Sequence, residues 1–129
     1  MKAEDAFASL SGFQHALAGH VEWLQHWYQA VLHRSEGSDI PDPAAEACAF
    51  GRWLVTAADG PLATFPGFNS LGHEHEAVHA KAAQISERAR AAQTVTTSDY
   101  ETLMDSVLSF GSAAQSLERE VWKALATVD

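Results

Sequence analysis

The sequence predicts an all-α protein: a four-helix bundle in which three long helices and a short second helix, carrying the lone cysteine, surround one core. Three observations lead there. Apolar residues recur three and four positions apart over three long stretches, which is the period of a helix with one buried face. No stretch alternates apolar and polar residues as a half-buried strand would. Turn-forming residues gather where each periodic stretch stops.

The first stripe is Phe7, Leu10, Phe13, Leu17, Val21, Leu24, Tyr28 and Val31. It predicts a long first helix, with Phe13, His20 and Trp27 seven residues apart on a shared face. The run SEGSDIPDP at 35–43 is turn chemistry. Asp42-Pro43 then reads as a cap followed by proline at the first helical position, which predicts a short helix from Pro43 to Ala58. That helix carries Cys48, Phe50, Trp53 and Leu54. Ala58-Asp59-Gly60-Pro61 stops it, and a loop continues through Pro66-Gly67.

A third helix is expected from Asn69 or Ser70, with the stripe Leu71, His75, Val78, Ala82, Ile85 and Ala89. His79 lies four residues after His75, about 40° around the helix, so the two imidazoles stand one turn apart on one face. His73 is about 200° from His75 and is expected to face solvent. Residues 93–97 break the pattern. Ser98 and Glu101 have the spacing of a capping box for a fourth helix over Asp99–Ala126. Its stripe is Tyr100, Leu103, Val107, Phe110, Ala114, Leu117, Val121 and Leu125.

A chain of 129 residues, 47% of them hydrophobic, favours one domain over 1–129 with a single core. Its 17 acidic and 8 basic residues give a formal charge of −9. That balance argues against nucleic acid or an anionic membrane as partner, and it suits attraction of metal cations. No apolar run approaches the roughly 18–20 residues that span a bilayer. The opening MKAEDAFASLSGF lacks the apolar core of a signal peptide, so a cytoplasmic location is expected. Cys48 has no partner for an internal disulfide. It is open to three readings: buried filler, reactive thiol or metal ligand.

The candidate chemistry lies in the histidines, at positions 15, 20, 26, 33, 73, 75 and 79. A lone histidine on an apolar face is more often hydrogen-bonded filler than a ligand. A His-x3-His pair on a helix is a stronger signal, because one ion reaches both rings. Burying several unpaired imidazoles in a small core costs free energy unless each finds a partner. A shared zinc ion supplies one, and Cys plus three His fills its tetrahedron. Spacing leaves open whether His20 and Cys48 converge on His75 and His79. His15, His26, His33 and His73 are expected at the periphery. Trp23, Trp27, Trp53 and Trp122 read as packing residues, and Glu74 and Glu76 as a solvated face.

The letters His75-Glu76-Ala77-Val78-His79 also match HExxH, the signature of zinc peptidases with the glutamate as general base. A metzincin would extend it with glycine and histidine where this chain has Ala82 and Ile85. No edge strand is predicted on which a substrate would align. A hydrolase using Glu76 and a metal-free helical interaction module stand as the alternatives. A hemerythrin-type di-iron site needs Glu four residues after His, and no histidine here has one.

Three segments together resemble the chemoreceptor zinc-binding domain: GHVEWL around His20, ACAFGRWL around Cys48, and HEAVH. The Cys-x-Phe-Gly-x-Trp core, here Cys48, Phe50, Gly51 and Trp53, is the most specific piece. The resemblance implies a helical bundle with a zinc site made by His20, Cys48, His75 and His79, and no catalysis. Such domains are attached to chemotaxis receptors and to diguanylate cyclases, and the wording from Gly51 to Leu54 and Gly60 to Leu62 is similar to the cyclase-linked type. The implied role is sensory control of cyclic-di-GMP synthesis or chemotaxis through an output domain or partner protein, by a homodimer. Zinc would tie helix one, the short second helix and helix three together. The second helix, held by a single cysteine, is the expected moving part.

Overall fold

The computed structural model describes residues 3–34 and 39–126, so residues 35–38 of the expected turn lie outside the described residues. Four helices follow in order: α1 (Ala3–Leu32), α2 (Ala49–Ala57), α3 (Gly67–Arg90) and α4 (Thr97–Ala126). Short 3-10 turns at Ala45–Ala47 and Pro61–Thr64 flank α2. There is no strand among the described residues, and the architecture is an all-α bundle. No helix among them is long and apolar enough to cross a membrane.

The closest helix pair is the α3/α4 hairpin. The reversal between them is a Schellman turn: Gln93 N donates to Arg88 O at 2.8 Å and Ala92 N to Ala89 O at 3.2 Å. Ala92 occupies the left-handed position with φ 57°, where a Cβ is disfavoured. Helix α4 begins at Thr97, and its capping box is Thr96/Asp99 rather than the expected Ser98/Glu101. Thr96 N donates to Asp99 Oδ2 at 2.9 Å and Asp99 N to Thr96 Oγ1 at 3.2 Å. Asp99 wins because Arg88 Nη1 also reaches its Oδ2 at 2.6 Å, and Lys81 Nζ its Oδ1 at 3.5 Å. Sequence spacing could not foresee cations arriving from α3.

The expected α3 stripe is buried throughout, and Phe68, His79 and Ser86 join it. On α4 Leu103, Phe110, Ala114, Leu117 and Val121 are buried, with Tyr100, Val107 and Leu125 packed at the margin. The α1 stripe is corrected. Its buried line is Ala6, Leu10, Phe13, Ala16, His20, Trp27 and Val31, whereas Phe7, Val21 and Tyr28 are exposed. The apolar arc of α1 is wider than the surface its neighbours cover. Its small alanines enter the contact and the large flanking side chains stay outside it. Trp122 is likewise exposed rather than packed, lining a shallow apolar groove with Phe7 and Leu125.

Trp27 and Ser86 are fully buried, and the Trp27 indole N–H donates to Ser86 Oγ at 2.8 Å. This satisfies both polar groups and joins α1 to α3. Phe13 stacks on Trp53 at 5.5 Å between ring centres, which seats α2 on α1.

Candidate metal centre

Helix α2 starts at Ala49, later than the expected Pro43, because Asp42 caps a turn instead: its Oδ1 accepts from Ala44 N at 2.9 Å. The chain then makes one 3-10 turn, and Cys48 itself caps α2. The Gly51 N–H donates to Cys48 Sγ at 3.3 Å. Gly51 is required by close approach. A Cβ there would stand 1.9 Å from the Ala45 carbonyl oxygen. The Cys-x-Phe-Gly-x-Trp pattern thereby acquires a physical reading. Cysteine caps, Phe50 plugs the core, glycine lets the preceding turn fold across the helix, and Trp53 stacks on Phe13.

The cap places the sulfur against α3, with Sγ 3.3 Å from His75 Nε2. His20 from α1 and His75 and His79 from α3 each offer one ring nitrogen, and these lie within 4.8 Å of one another. All four residues are buried, at 1–3% exposure. The expected outliers stay out: His15, His26, His33 and His73 are exposed.

Two facts test whether a metal suits this cluster. The Nε2 atoms of His20 and His79 are buried with no hydrogen-bond partner, an expensive arrangement unless another atom meets them. And the Nδ1 of His79 lies 2.8 Å from the Pro43 carbonyl, which can only accept, so the proton sits on Nδ1 and Nε2 presents a lone pair. That is the tautomer a metal ligand needs.

Burial, together with the repulsion that charging His79 would add, lowers the His20 pKa to about 4. Burial and the same repulsion from His79 and His20 bring His75 to about 3. His79 is also lowered by burial, partly offset by the Pro43 carbonyl and the Glu46 carboxylate. The three rings are therefore neutral at pH 7, as coordination requires. Burial raises the Cys48 pKa, opposed by the N–H of Gly51, so a metal is needed to draw its proton off.

Aromatic rings wall the cluster. Phe110 lies 4.6 Å from the His20 ring, Phe50 4.9 Å from His75, and Trp23 4.2 Å from His79. The sequence marks Phe110 and Trp23 as packing residues but carries no sign that they pack on imidazoles. The Pro43 carbonyl was also hidden, since any residue supplies a carbonyl. Three neutral nitrogens grouped within 4.8 Å, with the Cys48 sulfur beside His75, offer donors of the kind a closed tetrahedral zinc site uses once the thiol loses its proton. Glu76 is not among these donors and is exposed.

A family model, the chemoreceptor zinc-binding domain, matches residues 20–86. The chain belongs to this family. The match opens on His20 and spans Cys48, His75 and His79. No curated protein and no solved structure matches the chain. As a chemoreceptor zinc-binding domain its cofactor is Zn2+, and the His/Cys cluster is a donor set that can hold it. The family is a sensory one, not a known catalytic one.

Proposed function

We propose that this chemoreceptor zinc-binding domain, residues 1–129, is a zinc-responsive regulatory module that holds one Zn2+ through His20, Cys48, His75 and His79. The observation that carries the assignment is the pair of buried, partnerless Nε2 atoms of His20 and His79 beside the Cys48–His75 contact. A bound zinc supplies the missing partner to both nitrogens and takes the Cys48 thiolate. The protein's part is to supply neutral rings, fix the His79 tautomer through Pro43, and exclude water with Phe50, Phe110 and Trp23.

The controlled output is a bacterial signalling activity, cyclic-di-GMP synthesis or chemotaxis, exerted through an output domain or partner protein in the cytoplasm. The run from Gly51 to Leu62 favours the diguanylate-cyclase-linked type. Helix α2 is the moving part, because Cys48 is its single donor to the cluster while its flanking turns are short. A homodimer is the working form, and the exposed Phe7, Val21, Tyr28, Leu108 and Trp122 of α1 and α4 offer an apolar face for it.

Elemental analysis of protein purified without an affinity tag tests the reading. One zinc per chain, lost in His75→Ala and His79→Ala, is expected. A chain without zinc and unaffected by added zinc sinks it. Glu76→Ala keeps its zinc and its fold, which separates this reading from a hydrolase.

A further inference from the structure

The four donor residues are buried, yet one cleft runs up to one of them, His75. It has a volume of about 470 Å³ and opens between the Ala45–Ala47 turn, α2 and the first half of α3. His75 and Gly51 line it, with Glu46, Glu76 and His73 also on its walls. His75 is a member of the cluster and is 1% exposed. His20 and His79, whose Nε2 atoms lack partners, each bring a ring nitrogen within 4.8 Å of one on His75. The other contacts of the imidazoles are apolar, with Phe50, Phe110 and Trp23.

A hydrated divalent cation does not cross an aromatic wall without losing its water shell for nothing in return. A cleft flanked by carboxylates concentrates the cation and offers oxygen atoms to replace its waters stepwise. We propose that this cleft is the port through which zinc reaches the buried site, with Glu46 and Glu76 as the carboxylates that capture it and pass it inward. Neither is a ligand of the final site. The proposal rests on the zinc-site reading above, and it gives the glutamate of HEAVH a role other than general base. The floor of the port is the turn before Cys48, which Arg52 fastens by donating from Nη1 to the Ala47 carbonyl at 3.0 Å. Capture at the rim and arrival of the sulfur therefore involve the same piece of chain.

The test mixes metal-free full chain with free Zn2+ in a stopped-flow instrument and follows a competing fluorescent zinc indicator. The wild type is compared with Glu46→Gln/Glu76→Gln and with Glu4→Gln/Asp5→Asn. The latter removes the same charge about 23 Å along α1 from His20. The port variant is expected to keep one zinc per chain while its association rate falls about 5- to 30-fold at about 10 mM ionic strength. That gap should close to about twofold at about 0.5 M salt, and the distant control should change by less than about twofold. An unchanged rate in the port variant overturns the proposal. So does equal slowing in both variants, which would trace the effect to net charge. Loss of zinc stoichiometry in the port variant also overturns it, since a carboxylate would then be a ligand. A wild-type chain that takes up no zinc overturns the site itself, and the port with it.

Discussion

The Nδ1 of His79 lies 2.8 Å from the carbonyl oxygen of Pro43, a residue 36 positions earlier in the chain. This contact fixes which nitrogen of His79 carries the proton, and it ties the segment leading to Cys48 onto α3. One hydrogen bond thus orients a ligand and anchors the strand of chain that delivers another.

Because the His79 lone pair is held ready, its removal should be costly to zinc and not to the fold. His79→Ala is expected to weaken zinc binding by at least about 100-fold, since a four-donor site falls to three. Competition against a chromophoric chelator measures this, with circular dichroism confirming unchanged helicity. Retention of wild-type affinity and stoichiometry would remove His79 from the ligand set.

The metal-free protein should be acid-labile in a defined window. In the unfolded chain an imidazole titrates near 6.5, whereas folded His20 and His75 titrate at about 4 and about 3. Between those limits the unfolded state binds protons that the folded state refuses, so stability falls as pH falls. Each such histidine contributes on the order of 1.4 kcal/mol per pH unit inside the window. Urea midpoints of zinc-free protein should therefore drop steadily from pH 6.5 to 4. A flat midpoint over that range would show that the rings are not held neutral.

Zinc should steepen this behaviour. Binding displaces the proton of Cys48, whose thiol burial keeps protonated, and any proton on the histidines. Zinc affinity should fall about tenfold per pH unit wherever the thiol is protonated, pH 7 included, and more steeply near pH 4, where His20 also takes up a proton, read by titration calorimetry in buffers of different ionisation enthalpy. Absence of proton release would exclude the thiolate as a ligand.

Gly51→Ala should damage the site without touching a donor. The new Cβ meets the Ala45 carbonyl oxygen at 1.9 Å, so the turn that carries Cys48 must shift. The expected cost is about 1–3 kcal/mol of stability, together with weaker zinc binding. Equal zinc affinity in wild type and variant would show that the turn moves freely.

Ala92→Gly should act in the opposite direction. Ala92 holds φ 57° in the turn after α3, where glycine meets no Cβ penalty. The expected gain is up to about 1 kcal/mol, visible as a higher thermal midpoint with unchanged zinc binding.

The helices were legible because burial imposes a period, and α3 obeys it without exception. The α1 stripe was legible in period but not in phase, since the sequence does not say how much of an apolar arc the neighbours cover. Both caps were misplaced for a shared reason. Asp42 and Ser98 are good capping residues, but Cys48 and Thr96 have partners that arrive from α3: His75 for the sulfur, Arg88 and Lys81 for Asp99. At the site, the His75/His79 pair came from helical spacing and the inclusion of His20 and Cys48 from the motif. The Pro43 carbonyl, the Phe110 wall and the acid-flanked cleft had no letters of their own to betray them.

The Trp27–Ser86 hydrogen bond stands seven residues beyond His20 on α1 and seven beyond His79 on α3. Two turns of helix, about 10 Å, separate the two cross-links on each side. A pair of rods pinned at two heights has no pivot left. On the zinc-site reading, loss of the metal releases one pin of two between α1 and α3, while α2 keeps its packing through Trp53 on Phe13 and Phe50 in the core. On that reading α2 has the most to lose with the metal, and its outer side, where Val55 stands 74% exposed, is where a partner would read the loss.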